Sequence, residues 1–188
     1  MANMSHISTN SPHAWILAAR PKTLTGAAVP VMIGISAAWA DGFFRPVPAL
    51  LCFLFAFFMQ IDANFINDYY DFRKGLDDEK RLGPKRACAE GWITLPAMRR
   101  GIVCTTLLSC LTGLPLVWYG GWTMVLVGVC CVVFCFLYTT CMARLGLGDL
   151  LVLVFFGLVP VGATYYLQSG TVVPEVWALS LACGLVID

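Results

Sequence analysis

The sequence predicts an all-α fold, a polytopic transmembrane helical bundle that forms a single membrane domain over residues 1–188. Three observations predict it. Hydrophobic residues make up 59% of the chain and charged ones 12%, where soluble domains carry roughly a quarter charged. Mean hydropathy is +0.78. Five stretches contain no Asp, Glu, Lys or Arg: 23–40, 46–61, 101–143, 150–174 and 176–187. A span needs ~20 apolar residues, so the third stretch must hold two, with Tyr119, Gly120 and Gly121 as the natural break.

Helices are therefore predicted at about 22–40, 47–67, 97–118, 122–142 and 149–168, with a sixth opening near Glu175. Ahead of them, Ser11 to Arg20 opens with Ser-Pro and holds Trp15, Ile16 and Leu17, the pattern of a short interfacial helix, with an unstructured tail as the alternative. The polar stretch MANMSHISTNSPHAW has no basic region of the kind that opens a cleavable signal. From Val176 thirteen residues remain, roughly 20 Å of helix against a hydrocarbon core of ~30 Å. The expectation is thus about five complete spans and the start of a sixth, in the N-terminal part of a longer polypeptide. Of nine cysteines, only Cys88 falls outside the predicted spans and their ends, and no C-x-x-C or Cys/His ligand spacing occurs. They read as small packing residues.

Positive charge orients the bundle. Of twelve Lys and Arg, Arg20 and Lys22 precede the first span, eight lie between Asp68 and Arg100, and Arg144 follows the fourth; only Arg45 falls in a loop of opposite parity. Eleven against one places the N-terminus, a polar loop at about 68–96 and the 143–148 loop in the cytoplasm. The loop following a sixth helix would emerge on that same face.

The chemistry concentrates in NDYYDFRKGLDD, residues 67–78. Asn64, Asn67, Asp68, Asp71 and Lys74 are spaced i, i+3, i+4, i+7 and i+10 and share one side of a helix where it leaves the bilayer. Amide and carboxylate oxygens in that pattern suit a hard cation, and Mg2+ is usually held by one or two carboxylates together with substrate phosphates. Lys74, Lys80, Arg81, Lys85 and Arg86 follow within one loop and can donate to phosphate oxygens. Metal plus cations beside a lipid-facing cavity point to a lipid diphosphate. The plainer reading is a helix ending in water with basic residues enforcing topology, but a simple exit does not require repeated amides and carboxylates on one face. Asp62 lies a turn deeper and off that face, placed either to pair within the bundle or to snorkel.

These residues resemble a family. NDYYDFRKGLDD is similar to the first aspartate-rich motif of the UbiA superfamily of membrane prenyltransferases. WILAARPKTL (15–24), NFINDYYDFRKGLD (64–77), RLGPKRACAEGWIT (81–94) and GLGDLLVLVFFGLVPVGATYYLQSG (146–170) narrow the likeness to its 1,4-dihydroxy-2-naphthoate prenyltransferase branch, which makes demethylmenaquinone. The resemblance covers nearly the whole chain, in order. It implies nine transmembrane helices around a central cavity in the inner (cytoplasmic) cell membrane, with two aspartate-rich motifs on cytoplasmic loops after the second and sixth helices. It also implies Mg2+ as cofactor, and a polyprenyl diphosphate, 1,4-dihydroxy-2-naphthoate and the lipid bilayer as partners; no nucleic acid is expected.

By the resemblance, Asn67 and Asp71 match the Mg2+ ligands of the first motif, with Asp68 beside them. Asp68 and Asp71 are the expected catalytic carboxylates. The family's third acidic position is Gly75 here, with acids instead at Asp77 and Asp78, so Asp77 becomes the candidate third ligand. Lys74, Arg81, Lys85 and Arg86 are the expected diphosphate-binding residues. Candidates for the acceptor are Arg20, Asn64, Tyr138, Arg144 and Asp149, the last standing where the branch usually has Glu after Gly-Leu-Gly. The second motif is absent from these residues, so the stretch alone is expected to be inactive.

The implied reaction is prenylation of an electron-rich ring by an allylic cation, with loss of CO2 and a proton. Tyr69, Tyr70, Phe72 and Tyr138 are the available aromatic faces. Three rivals are weaker. A transporter would distribute polar residues across its spans, whereas here they gather at one mouth. A CDP-alcohol phosphatidyltransferase would continue D-G-x-x-A-R where this chain reads D-F-R-K-G. A 4-hydroxybenzoate acceptor is opposed only by RLGPKR and the Gly-Leu-Gly run.

Overall fold

The computed structural model describes residues 7–75, 85–140 and 148–187. The expected interfacial helix is present as α1, Pro12–Ala19: Pro12 takes the first turn, where its missing N–H costs nothing, and the Ser11 hydroxyl accepts the Ala14 N–H at 3.2 Å. Arg20 ends it in the left-handed region, φ 51°. A 3-10 turn, Pro21–Thr23, then leads into α2, Leu24–Ala40.

Next comes α3, Pro46–Arg73, 28 residues long, or roughly 42 Å, which exceeds a hydrocarbon core of ~30 Å. Its last turns must therefore project into the polar layer. This corrects the expected boundary: the helix does not give way to a loop at residue 68 but continues through NDYYDFR. No Pro or Gly interrupts it, the Lys74 N–H still reaches the Tyr70 carbonyl at 3.0 Å, and Gly75 at φ 65° stops it.

The described residues that follow are no open loop either. Residues 85–94 form a compact turn whose Ala87, Cys88 and Ile93 are buried. The chain then enters α4, Leu95–Gly120, with a 3-10 turn at Leu114–Leu116 around Pro115. It continues through α5 (Thr123–Thr140), α6 (Gly148–Ser169) and α7 (Pro174–Ile187).

A π-type turn, Leu153–Leu158, widens α6 just before Pro160. The proline has no N–H to give the Phe156 carbonyl, and the Cys183 thiol of α7 lies 3.8 Å from that oxygen.

Among the described residues, four helical segments are long and apolar enough to cross a membrane: Pro12–Ala40, Pro46–Arg73, Leu95–Gly120 and Gly148–Ser169. The expected fourth span, α5, is apolar but shorter among the described residues, as is α7.

Packing relies on small residues where helices cross, since apolar lipid gives helices no hydrophobic reason to associate. A Cβ on Gly157 of α6 would stand 2.5 Å from the Ser180 carbonyl and 2.7 Å from the Gly184 Cα of α7. Gly34 of α2 similarly admits the Val161 carbonyl of α6.

The core has three parts. Beneath the polar end, Ala14, Phe65, Ile66, Ile93 and Met98 join α1, α3, the 85–94 turn and α4. Val31, Cys52, Leu116 and Leu167 pack mid-bundle, and Ala38, Val161, Tyr165 and Val176 close the far end. There the Tyr165 hydroxyl donates to Asp41 at 2.6 Å and the Arg45 N–H to Gln168 Oε1 at 2.6 Å.

Candidate diphosphate site at the mouth of an apolar cavity

An apolar cavity of about 690 Å3 runs between α2, α3, α5 and α6. Along α3 its wall follows one helical row, Met59, Gln60, Ala63 and Asn67. At the polar end it is lined by Lys22, Thr23, Asn67 and Tyr138. Asp71 stands one turn beyond Asn67 on the same row and outside the apolar part. The row thus grades from hydrocarbon-facing to ion-facing within about two turns.

The residues expected on one face divide into two neighbouring rows. Asn67 reaches the cavity, and Asp71 Oδ2 accepts from the Arg86 guanidinium at 2.5 Å. Asn64 and Asp68 lie on the adjacent row, are buried, and face protein. Asn64 Nδ2 donates to the Ala19 carbonyl and to Thr23 Oγ1, both at 2.9 Å. Asp68 is 1% exposed, and its two carboxylate oxygens accept the backbone N–H groups of Ala87 at 2.7 Å and Cys88 at 2.9 Å. Both side chains expected to meet ligand are therefore engaged within the protein. The amide of Asn64 holds the turn between α1 and α2, and the carboxylate of Asp68 holds the turn that carries Arg86.

Among the expected diphosphate donors, Arg86 is buried beside Asp71, and Lys74 caps α3 just past it. Lys85 is exposed and pairs with Glu90 at 2.8 Å, which aims it along its own turn. Arg20 occupies the left-handed turn below Asn64, and its carbonyl accepts the Thr23 N–H and hydroxyl, both at 2.9 Å. Of the acceptor candidates, Tyr138 lines the cavity, with its ring edge and hydroxyl 4.0 Å from a Cβ built on Gly148. Asp149 is exposed in the first turn of α6. Asp77, Arg81 and Arg144 lie outside the described residues, as do Asp78 and Lys80.

Tyr69 stacks edge-on with Tyr70 at 5.2 Å, lies under the Arg73 guanidinium at 5.6 Å and packs against the core below the 85–94 turn. Of Tyr69, Tyr70, Phe72 and Tyr138, only Tyr138 lines the cavity, where Phe55, Phe134, Phe155 and Phe156 also stand. Asp62, for which the sequence allows pairing or snorkelling, pairs: Thr105 and Thr106 of α4 donate to it at 2.5 and 2.8 Å.

Lys22, next to the candidate Arg20, lines the cavity mouth, whereas sequence reasoning missed Gln60. The spacing of Gln60 from Asn67, seven residues on one helix row, was the available signal.

The mouth supplies amide and carboxylate oxygens from Asn67 and Asp71, a donor set that fits a hard divalent cation. Among the described residues no three His, Cys, Asp or Glu form a group that could hold a metal ion. Fold and mouth together define a multi-pass helical membrane protein with a lipid-sized cavity capped by carboxylate and cationic groups.

Comparison with known proteins narrows the class. The UbiA prenyltransferase family matches residues 27–187, and the chain belongs to that family. It is 37% identical over 191 residues to the 1,4-dihydroxy-2-naphthoate octaprenyltransferase of Escherichia coli K12, covering 97% of this chain and 62% of that protein. The Mycobacterium tuberculosis protein of the same name is 35% identical over 82% of this chain and 54% of its own length. UbiA prenyltransferase domain-containing protein 1 of Danio rerio is 29% identical over 90% and 52%. The fold matches a solved structure described as digeranylgeranylglyceryl phosphate synthase, with a TM-score of 0.67 at 20% identity, over 93% of this chain and 59% of that one. The chain thus spans between about half and two thirds of the length of these relatives.

Proposed function

We propose that the protein transfers a polyprenyl group from an allylic polyprenyl diphosphate to 1,4-dihydroxy-2-naphthoate, giving demethylmenaquinone, at the cytoplasmic face of the inner membrane. The observation that carries this reading is the α3 row that leads from an apolar cavity of about 690 Å3 through Asn67 to the Asp71–Arg86 pair. A prenyl chain suits the cavity, and its diphosphate would lie at the polar mouth.

Asn67 and Asp71 would hold Mg2+, which when bound neutralises charge on the departing diphosphate. Arg86 and Lys22 would hold the phosphate oxygens by charge-assisted hydrogen bonds, and these strengthen as charge grows on the leaving group. Burial keeps water from the allylic carbon while the C–O bond ionises. Tyr138, which lines the cavity mouth, would offer its ring to the developing cation. Arg144 and Asp149 are proposed for the acceptor's carboxylate and hydroxyl groups, and Asp77 and Arg81 as further contributors around the diphosphate. The names of the curated relatives favour a naphthoate over a 4-hydroxybenzoate acceptor.

The test supplies polyprenyl diphosphate and Mg2+ with either acceptor to the full-length protein in membranes, because residues 1–188 alone are expected to be inactive, and follows the prenylated product by mass. Prenylated naphthoquinol from dihydroxynaphthoate, lost on chelation, is the expected result. No product with either acceptor would refute the transferase reading, and product from 4-hydroxybenzoate alone would refute the acceptor.

A further inference from the structure

The polar end of α3 carries two rows of side chains, and only one faces the cavity. We infer that Asn64 and Asp68, four residues apart on the second row, are positioning residues: each pins one basic turn against α3 so that its cation is presented to the diphosphate. This rests on the transferase reading above and gives Asp68 a role other than metal ligation.

The two pins have the same logic with opposite polarity. Asn64 uses its N–H2 group as a double donor to the Ala19 carbonyl and Thr23 Oγ1. That fixes the Arg20–Thr23 turn, from which Lys22 enters the cavity mouth. Asp68 uses its carboxylate as a double acceptor for the Ala87 and Cys88 N–H groups. That fixes the residues directly after Arg86, whose guanidinium then meets Asp71. Asp68 is 1% exposed with both oxygens engaged, so serving as a metal ligand would require giving up a backbone bond. The 85–94 turn is moreover docked by Ala87 and Ile93 in the core under the mouth. A fixed guanidinium costs less ordering entropy on binding than a loop arginine that must be recruited.

The experiment uses the full-length protein in nanodiscs and reads two quantities. Hydrogen exchange across 85–94 reports the pin, and titration with inorganic pyrophosphate and Mg2+ reports the site. Asp68→Ala is expected to speed exchange at Ala87 and Cys88 and to weaken pyrophosphate binding about tenfold, with Asp68→Asn, which keeps one acceptor, intermediate. The Mg2+ concentration for half-saturation should stay at the wild-type value. Asp68→Ala combined with Arg86→Ala should bind no more weakly than Arg86→Ala alone, because the first acts through the second. For the other pin, Asn64→Asp, which keeps the shape but loses both donors, should be non-additive with Lys22→Ala in the same way.

A shifted Mg2+ requirement in Asp68→Ala, matching that of Asp71→Ala, would make Asp68 a ligand and overturn the inference. So would faster exchange with unchanged pyrophosphate affinity. A wild-type protein that binds no pyrophosphate would refute the transferase reading itself and the inference with it. Exchange rates would still show whether the pins exist, so the two failures differ.

Discussion

Asp71 and Asp68 are three residues apart on one helix, carry the same functional group and have different partners, so removing each should have a different signature. Asp71→Ala takes a carboxylate from the mouth and leaves buried Arg86 without that pairing. Turnover should fall about a hundredfold or more, a loss comparable to that of other transition-state charge contacts, while folding persists; single-turnover assays beside circular dichroism would check both. Asp68→Ala instead leaves two buried backbone N–H groups unpaired, at about 1–3 kcal/mol each. It should therefore lower resistance to denaturant as well.

Asp62 poses the same question inside the bundle. Thr105 and Thr106 each have a backbone carbonyl of their own helix, Gly101 and Ile102, within 3.0 and 2.9 Å, so Asp62→Leu strands neither hydroxyl. It should cost no more than about 1 kcal/mol, since average hydrogen bonds between membrane helices contribute ~0.6. Replacing both threonines by Val leaves a carboxyl group buried without those donors and should cost about 3 kcal/mol. Paired unfolding curves in detergent would expose the asymmetry.

For helices, the crossing of α6 and α7 is the most sensitive point. Gly157→Leu puts a side chain where the Ser180 carbonyl stands 2.5 Å from the Cβ position. Separating the helices should cost about 1–3 kcal/mol and lower the unfolding temperature, with Gly184→Leu behaving alike. Neither position is distinguished in the sequence, where both are simply glycines in apolar runs. The helices themselves were legible because charge-free runs of span length have few alternatives in a bilayer. The extension of α3 to Arg73 was not, because polar residues that leave the membrane need not leave the helix. The two-row division of Asn64, Asn67, Asp68 and Asp71 was likewise hidden: spacing places residues within an arc, and only tertiary partners decide which edge of the arc meets the cavity and which meets protein. The pattern offered Asn67, Asp68 and Asp71 as ligand candidates but could not reveal that a carboxylate would serve as an acceptor for backbone N–H groups, because its donors lie nineteen and twenty residues away.

Across the whole molecule, the apolar cavity should act as a ruler for the prenyl chain. Ala163 lines it on α6, across from the α3 row, and Ala163→Trp would fill part of the roughly 690 Å3. The variant should keep activity toward a short allylic diphosphate and lose it toward a long one, as KM values across a chain-length series would show. The polar contacts that shape the mouth have a different distribution from the cavity walls. Asn10 with Trp92 and Thr94, Asn64 with Ala19 and Thr23, Asp68 with Ala87 and Cys88, and Asp71 with Arg86 all join residues between 10 and 94. Chains are synthesised from the N-terminus, and early segments generally fold first. The anion-facing end can therefore be set by the time α4 enters the bilayer, before α5, α6 and α7 have left the ribosome. Later helices would then be added around this part of the polar rim, and an error in their insertion would cost the protein its hydrocarbon pocket while leaving these polar contacts in place.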